Sequence, residues 1–183
     1  MTIEGDRVCG RAQREASGAY VSQMFDANGG YNATTAIRIG RKLEELDLVW
    51  FEEPVNAQDL EAYLEVKAAL PMAIAGGENL RTRYEFKPYL TRRAFDIVQP
   101  DIMHCGGLSE LARICAMANS CRLQPHPHVC GSPVIIPAPL HLSATLPPCP
   151  PPRTPLPYLT LPATVVRRSP HSAPPEPCPV STA

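Results

Sequence analysis

No apolar run in this sequence approaches the roughly 20 residues that a membrane-spanning helix requires. The opening Met-Thr-Ile-Glu-Gly-Asp-Arg lacks the apolar centre of a signal peptide. No CxxC pair occurs, and the seven cysteines (Cys9, Cys105, Cys115, Cys121, Cys130, Cys149 and Cys178) are scattered and odd in number. Free thiols in a reducing, cytoplasmic setting are therefore expected rather than a disulfide framework. An excess of one charge is also lacking, since 17 Lys and Arg face 18 Asp and Glu for a net −1. That balance argues against nucleic acid or an anionic membrane as the main partner, because phosphate binding needs clustered basic side chains. Arg81, Arg83, Arg92 and Arg93 form a local basic run, but Glu85 among them makes it a solvated helix face. No GxGxxG follows the first apolar run. Gly29-Gly30 and Gly76-Gly77 lack that spacing and read as turn devices, so a dinucleotide site has little support.

Absences also divide the chain. The last Lys is Lys87, the last Phe is Phe95, the last Asp is Asp101 and the last Gly is Gly131. Of the 22 prolines, 16 lie between Pro133 and Pro179. Residues 1–146 therefore read as one globular domain, and residues 147–183 as a Pro-rich, disordered tail.

Within the first part, short apolar runs alternate with helical patterns. Gln23-Met-Phe, Leu48-Val-Trp-Phe, Met72-Ala-Ile-Ala, Phe95-Asp-Ile-Val and Cys121-Arg-Leu-Gln read as buried strands. A short helix is expected around Arg11 to Ala19. Further helices are expected after Asn32 or Thr34, after Asp59, over Tyr84 to Arg92, after Ser109 as N-cap, and over Pro139 to Thr145. Strand and helix alternating in this way give parallel βα units, either in a doubly wound sheet or in a (β/α) barrel.

What ends each strand decides the function. Phe25 leads into Asp26-Ala-Asn28, Phe51 into Glu52-Glu53-Pro54, Gly77 into Glu78-Asn79, Pro100 into Asp101, and Pro125 into His126-Pro-His128. The intervals from Asp26 through Glu52, Glu78 and Asp101 to His128 are 26, 26, 23 and 27 residues. One polar group per βα unit at the C-terminal end of its strand is how barrel active sites are built. Three carboxylates pointing into one mouth repel one another unless a cation sits among them. Oxygen ligands select a hard ion, Mg²⁺ before Mn²⁺ or Ca²⁺. Asp101 and His128 on the following strands can pair, giving a general acid/base beside that ion. Strand alternation allows only one of Glu52 and Glu53 to face inward without saying which. His126 shares the parity of His128. A zinc site from His126, His128 and Cys130 is a rival reading, but no second ligand cluster is present.

These segments together resemble the mandelate racemase/muconate lactonizing enzyme branch of the enolase superfamily, in its C-terminal barrel domain. The resemblance rests on Met24-Phe-Asp-Ala-Asn-Gly-Gly, Val49-Trp-Phe-Glu-Glu-Pro-Val, Ile74-Ala-Gly-Gly-Glu-Asn and Asp96-Ile-Val-Gln-Pro-Asp. Cys105-Gly-Gly-Leu-Ser-Glu, Leu123-Gln-Pro-His-Pro-His and Leu140-His-Leu follow in order, so residues 15–146 are covered. It implies a TIM-type barrel, of which about five βα units are present. It further implies Mg²⁺ held by Asp26, Glu52 and Glu78, an Asp101–His128 dyad of the mandelate racemase subgroup, and Asn28 and His126 beside the substrate.

The implied chemistry is abstraction of the proton α to a carboxylate through an enediolate. It ends in dehydration of an acid sugar, racemisation or epimerisation, or cycloisomerisation. A small carboxylate such as a sugar acid is the implied partner, with a homo-oligomer as a further expectation. The family's Lys-x-Lys strand and N-terminal capping domain have no counterpart here, and nothing after Pro147 looks like the family. The chain is thus expected to be a fragment, and a non-catalytic barrel remnant that associates with another chain is the alternative reading.

Overall fold

The computed structural model describes residues 10–16, 21–129, 135–145 and 164–167. A short helix α1 (10–16) precedes β1 (Gln23–Asp26) and α2 (Ala33–Leu43). There follow β2 (Phe51–Glu52), α3 (Leu60–Ala69), β3 (Ile74–Gly76), α4 (Thr82–Thr91), β4 (Ile97–Val98), α5 (Leu108–Ser120), β5 (Gln124–Pro125), α6 (Pro137–Thr145) and β6 (Thr164–Arg167). The sheet is parallel at every pairing and runs β5-β4-β3-β2-β1-β6. The first five strands lie in chain order with no reversal. A doubly wound sheet needs a switch point where the order reverses, so the arrangement is an arc of a (β/α) barrel.

The helices start and pack where the side chains dictate. Asn32 caps α2 by accepting from the Thr35 N–H at 2.9 Å, and Asp59 caps α3 by accepting from the Ala62 N–H at 3.0 Å. Ile39 and Leu43 of α2, Tyr63 and Val66 of α3, Phe86 and Leu90 of α4, and Leu111 and Ile114 of α5 join one core with Phe25, Phe51 and Val98 of the strands. Tyr63, Tyr89 and Phe95 lock it with ring contacts of 5.0–5.9 Å. Met24, Trp50, Ala75 and Ile97 form a separate small cluster on the sheet face turned away from the helices. That second face is the inner wall of the arc.

Several expectations move. The Leu48–Phe51 strand begins at Phe51, although the ladder already reaches back to the Val49 N–H, which donates to Gln23 O at 2.8 Å. The Cys121–Gln124 strand shifts to Gln124–Pro125, because Cys121 caps α5 and Arg122 turns the chain at φ 56°. Ser109 is not the cap of α5. Gly106 and Gly107 both take positive φ, Gly107 is the capping residue, and Leu108 is left 48% exposed.

Of the region read as a disordered tail, 147–163 and 168–183 lie outside the described residues, and the part described is β6, which pairs in parallel with the whole of β1, from Gln23 opposite Thr164 to Asp26 opposite Arg167. Thr164-Val165-Val166 is a β-branched run with strand propensity, and the outer edge of β1 offers it unpaired backbone groups. Proline composition alone concealed it.

Gly77 has φ +117°, and a Cβ there would lie 2.8 Å from a ring carbon of Phe86. This residue lets the chain leave β3 and present Glu78. Gly77→Ala is expected to cost about 1–3 kcal/mol of stability, read by urea denaturation. A loss below about 0.5 kcal/mol would contradict the strained turn.

Candidate functional site

The polar residues collect where the parallel register places them. Asp26 is the Cα partner of Glu52, and Glu52 is the partner of Ala75. Asp26 therefore shares the inner wall with Glu52, one level above Met24 and Trp50. Glu78 enters from the Gly77 turn beyond β3. Asp101 and His128 form a further parallel bridge past the ends of β4 and β5. Asp26, Glu52, Glu53, Glu78 and Asp101 are all buried, none more than 8% exposed. No Lys or Arg is buried with them among the described residues.

Each carboxylate is held by a neighbour. Asp26 Oδ1 accepts from the Asn28 N–H at 2.8 Å. Glu52 Oε2 accepts from Trp50 Nε1 at 2.9 Å. Asp101 Oδ1 accepts from the Met103 N–H at 2.6 Å, leaving Oδ2 for His128 Nδ1 at 2.7 Å. The other nitrogen of that ring, Nε2, lies 3.0 Å from Glu78 Oε2. His128 thus stands between two carboxylates, with Nδ1 against Asp101 and Nε2 against Glu78.

Glu53 departs most from the sequence reading. Alternation was expected to turn either Glu52 or Glu53 outward, yet both are buried, at 7% and 1% exposure. The reason is a break in the strand: Glu53 has φ 37°, which abandons the two-residue period. Its side chain is clamped by Asn79, whose Nδ2 donates to both carboxylate oxygens at 3.0 Å. Burial pushes the Glu53 carboxyl up to about 8, the Asn79 hydrogen bond opposes this, and the charges of Glu78, Asp26 and Glu52 add to the rise. Glu52 is also raised, by burial first and by the charges of Asp26 and Glu78, against the hydrogen bonds from Trp50 and Gln99.

The remaining expected residues are placed less centrally. Asn28, at φ 49°, lines a polar cleft of about 530 Å³ with Gly29, Glu53, Asn56, Asn79 and Arg81. His126 rests against the Trp50 ring at 5.8 Å between centroids, and burial lowers its pKa. Trp50 and Asn79 were missed by sequence reasoning. Trp50 lies two residues before Glu52 and was findable by parity. Asn79 follows a turn, where no period applies.

The donor set is one of oxygen atoms and suits a hard divalent ion. The crowding of the buried acids Asp26, Glu52, Glu53 and Glu78, with no Lys or Arg buried among the described residues, is the observation that fits such an ion. The carboxylates are nonetheless turned toward their neighbours, and no group of three or more His, Cys, Asp or Glu is arranged around one point among the described residues. The zinc alternative has less support, since His128 is engaged on both nitrogens and Cys130 lies outside the described residues. No described helix is long and apolar enough to cross a membrane. Cys105, Cys115 and Cys121 form no disulfide.

Comparison with known proteins agrees with the barrel-type fold. Residues 2–173 match the family described as enolase C-terminal domain-like. That match runs past Pro147, beyond the 15–146 span of the recognised motifs. The D-galactarolactone cycloisomerase of Agrobacterium fabrum is 40% identical over 148 residues, which is 81% of this chain and 39% of that protein. The crystal structure of the 3,6-anhydro-D-galactonate cycloisomerase from Zobellia galactanivorans superposes with a TM-score of 0.77 at 36% identity, covering 80% of this chain and 42% of that one. A mutant L-talarate/galactarate dehydratase liganded with Mg and L-glucarate gives a TM-score of 0.73 at 38% identity, covering 79% of this chain and 35% of that one. The chain therefore spans about two-fifths or less of the length of these relatives.

The Glu53 carboxyl, raised from the ordinary carboxylate range to about 8, binds its proton more tightly in the folded than in the unfolded chain. Its contribution to stability is whole below the ordinary range and is lost as pH rises toward about 8. In EDTA, the stability of wild type relative to Glu53→Gln should fall between pH 5 and pH 8 in urea melts. A difference that stays flat or rises would contradict the buried carboxyl.

Proposed function

We propose, for a chain that belongs to the enolase C-terminal domain-like family in its mandelate racemase/muconate lactonizing enzyme branch, a role at the carbon α to a sugar acid's carboxylate. The segment carries the divalent-cation ligands and one acid/base arm of such an enzyme. The observation that carries this reading is the 2.7 Å Asp101–His128 pair set beside buried carboxylates on neighbouring strand ends. Sugar-acid relatives, one of them liganded with Mg and L-glucarate, support the substrate class.

Asp26, Glu52 and Glu78 would hold Mg²⁺, with Mn²⁺ as the alternative. An ion held there would supply charge stabilisation to a substrate carboxylate as negative charge gathers on it. Asp101, fixed by the Met103 N–H, orients the His128 ring through Nδ1 and leaves Nε2 as the reactive nitrogen. Nε2 faces Glu78, so Glu78 must turn from His128 for that nitrogen to meet substrate. With Glu78 turned away, Nε2 of the neutral ring can take the α-proton, and the imidazolium so formed can return it to carbon or deliver it to a departing β-hydroxyl, the second outcome being dehydration. Asn28, in the polar cleft, and His126, against Trp50, would contact the rest of the sugar acid.

Incubating the chain with Mg²⁺ and galactarate or L-glucarate in deuterium oxide tests this by proton NMR. Loss of the α-proton signal is expected, and His128→Asn should slow it at least about 100-fold. No exchange by wild type, or unchanged exchange by His128→Asn, contradicts the reading.

A further inference from the structure

Glu53 is bound to all three strand ends that carry the proposed ligands. Its N–H donates to Ala75 O of β3 at 3.0 Å, and its carbonyl accepts from the Gly29 N–H of the loop after Asp26 at 2.8 Å. Its carboxylate receives both Asn79 hydrogen bonds, and Asn79 adjoins Glu78. Glu52 precedes it in the chain. The residue is 1% exposed and adopts φ 37°, a conformation that costs a non-glycine residue energy and persists only where the surroundings enforce it. Arg81 and Glu85, which line the adjoining cleft, pair with each other instead, the Arg81 N–H donating to Glu85 Oε2 at 2.7 Å.

We propose that Glu53 and Asn79 form a positioning pair that sets the spacing of Asp26, Glu52 and Glu78 for a divalent cation, without ligating it. The proposal rests on the cation-site reading above. Asn79 is the cleaner member to change, because its substitution removes no carboxylate from the chain.

The single tryptophan, Trp50, donates to Glu52 Oε2 and so reports the placement of that carboxylate in the absence of metal. The probe ion is Mn²⁺ alone, titrated into the EDTA-stripped and desalted chain and followed by the loss of its free electron paramagnetic resonance signal. Asn79→Ala should weaken Mn²⁺ binding about tenfold and shift Trp50 emission in the metal-free protein. Asn79→Gln keeps the donor but displaces it by one methylene, and it should show the same two effects if Asn79→Ala does not fold.

A merely structural role predicts a lowered melting temperature in EDTA with Mn²⁺ affinity and Trp50 emission unchanged, and that result overturns the proposal. Glu78→Gln separates the two levels. If it abolishes Mn²⁺ binding while the Asn79 variants bind as wild type, the positioning pair alone is refuted. If wild type binds no Mn²⁺, or Glu78→Gln binds it unchanged, the cation reading fails and takes the pair with it.

Discussion

Mutual repulsion of buried carboxylates is the constraint around which this structure is arranged. Parallel pairing sets Asp26 opposite Glu52, and the turn after β3 brings Glu78 to the same mouth. Low-dielectric surroundings magnify the repulsion, which is why burial and neighbouring acids together raise Glu52 and Glu53. Within the chain the charges are met by hydrogen-bond donors: the Trp50 indole, the Asn79 amide, backbone N–H groups of Asn28 and Met103, and the His128 ring. Such contacts hold the side chains apart, and no Lys or Arg is buried beside them among the described residues. A divalent ion held by the proposed ligands would relieve the conflict.

The scaffold makes that conflict sustainable. The helix-facing side of the sheet is filled by Phe25, Phe51, Ile74 and Val98 against four helices, with Tyr63, Tyr89 and Phe95 in ring contact. Gly76 permits this closeness, since a Cβ there would sit 3.0 Å from both Phe95 and the Tyr63 hydroxyl. Strands clamped so firmly from outside can tolerate polar, strained tips at one end. Burial of apolar surface and the placing of reactive groups thus occupy opposite faces and ends of the same strands.

Much of this was legible in the sequence, and the limits have physical causes. The five strand-end acids and histidines are readable because a short apolar run must stop at each, at intervals close to one βα unit. The Asp101–His128 contact follows from adjacency of consecutive parallel strands. Glu53 was not readable, because alternation assumes regular φ and this residue leaves it. The His128–Glu78 contact skips β4 and depends on how the strand tips converge, which spacing does not encode. β6 was hidden because its four residues lie among prolines, and pairing with β1 is a tertiary effect. It occupies the edge of β1 that the preceding strand would take in a barrel.

The most direct test of the central claim is the melting temperature of the chain by circular dichroism, in EDTA and in excess Mg²⁺ at neutral pH. If the carboxylates form one cation site, Mg²⁺ raises a cooperative transition and the rise grows with its concentration as binding linkage requires. The same titration on Glu78→Gln should give no rise. A transition indifferent to Mg²⁺ in the wild-type chain would contradict the account, leaving the buried acids as charges held apart by hydrogen bonds alone.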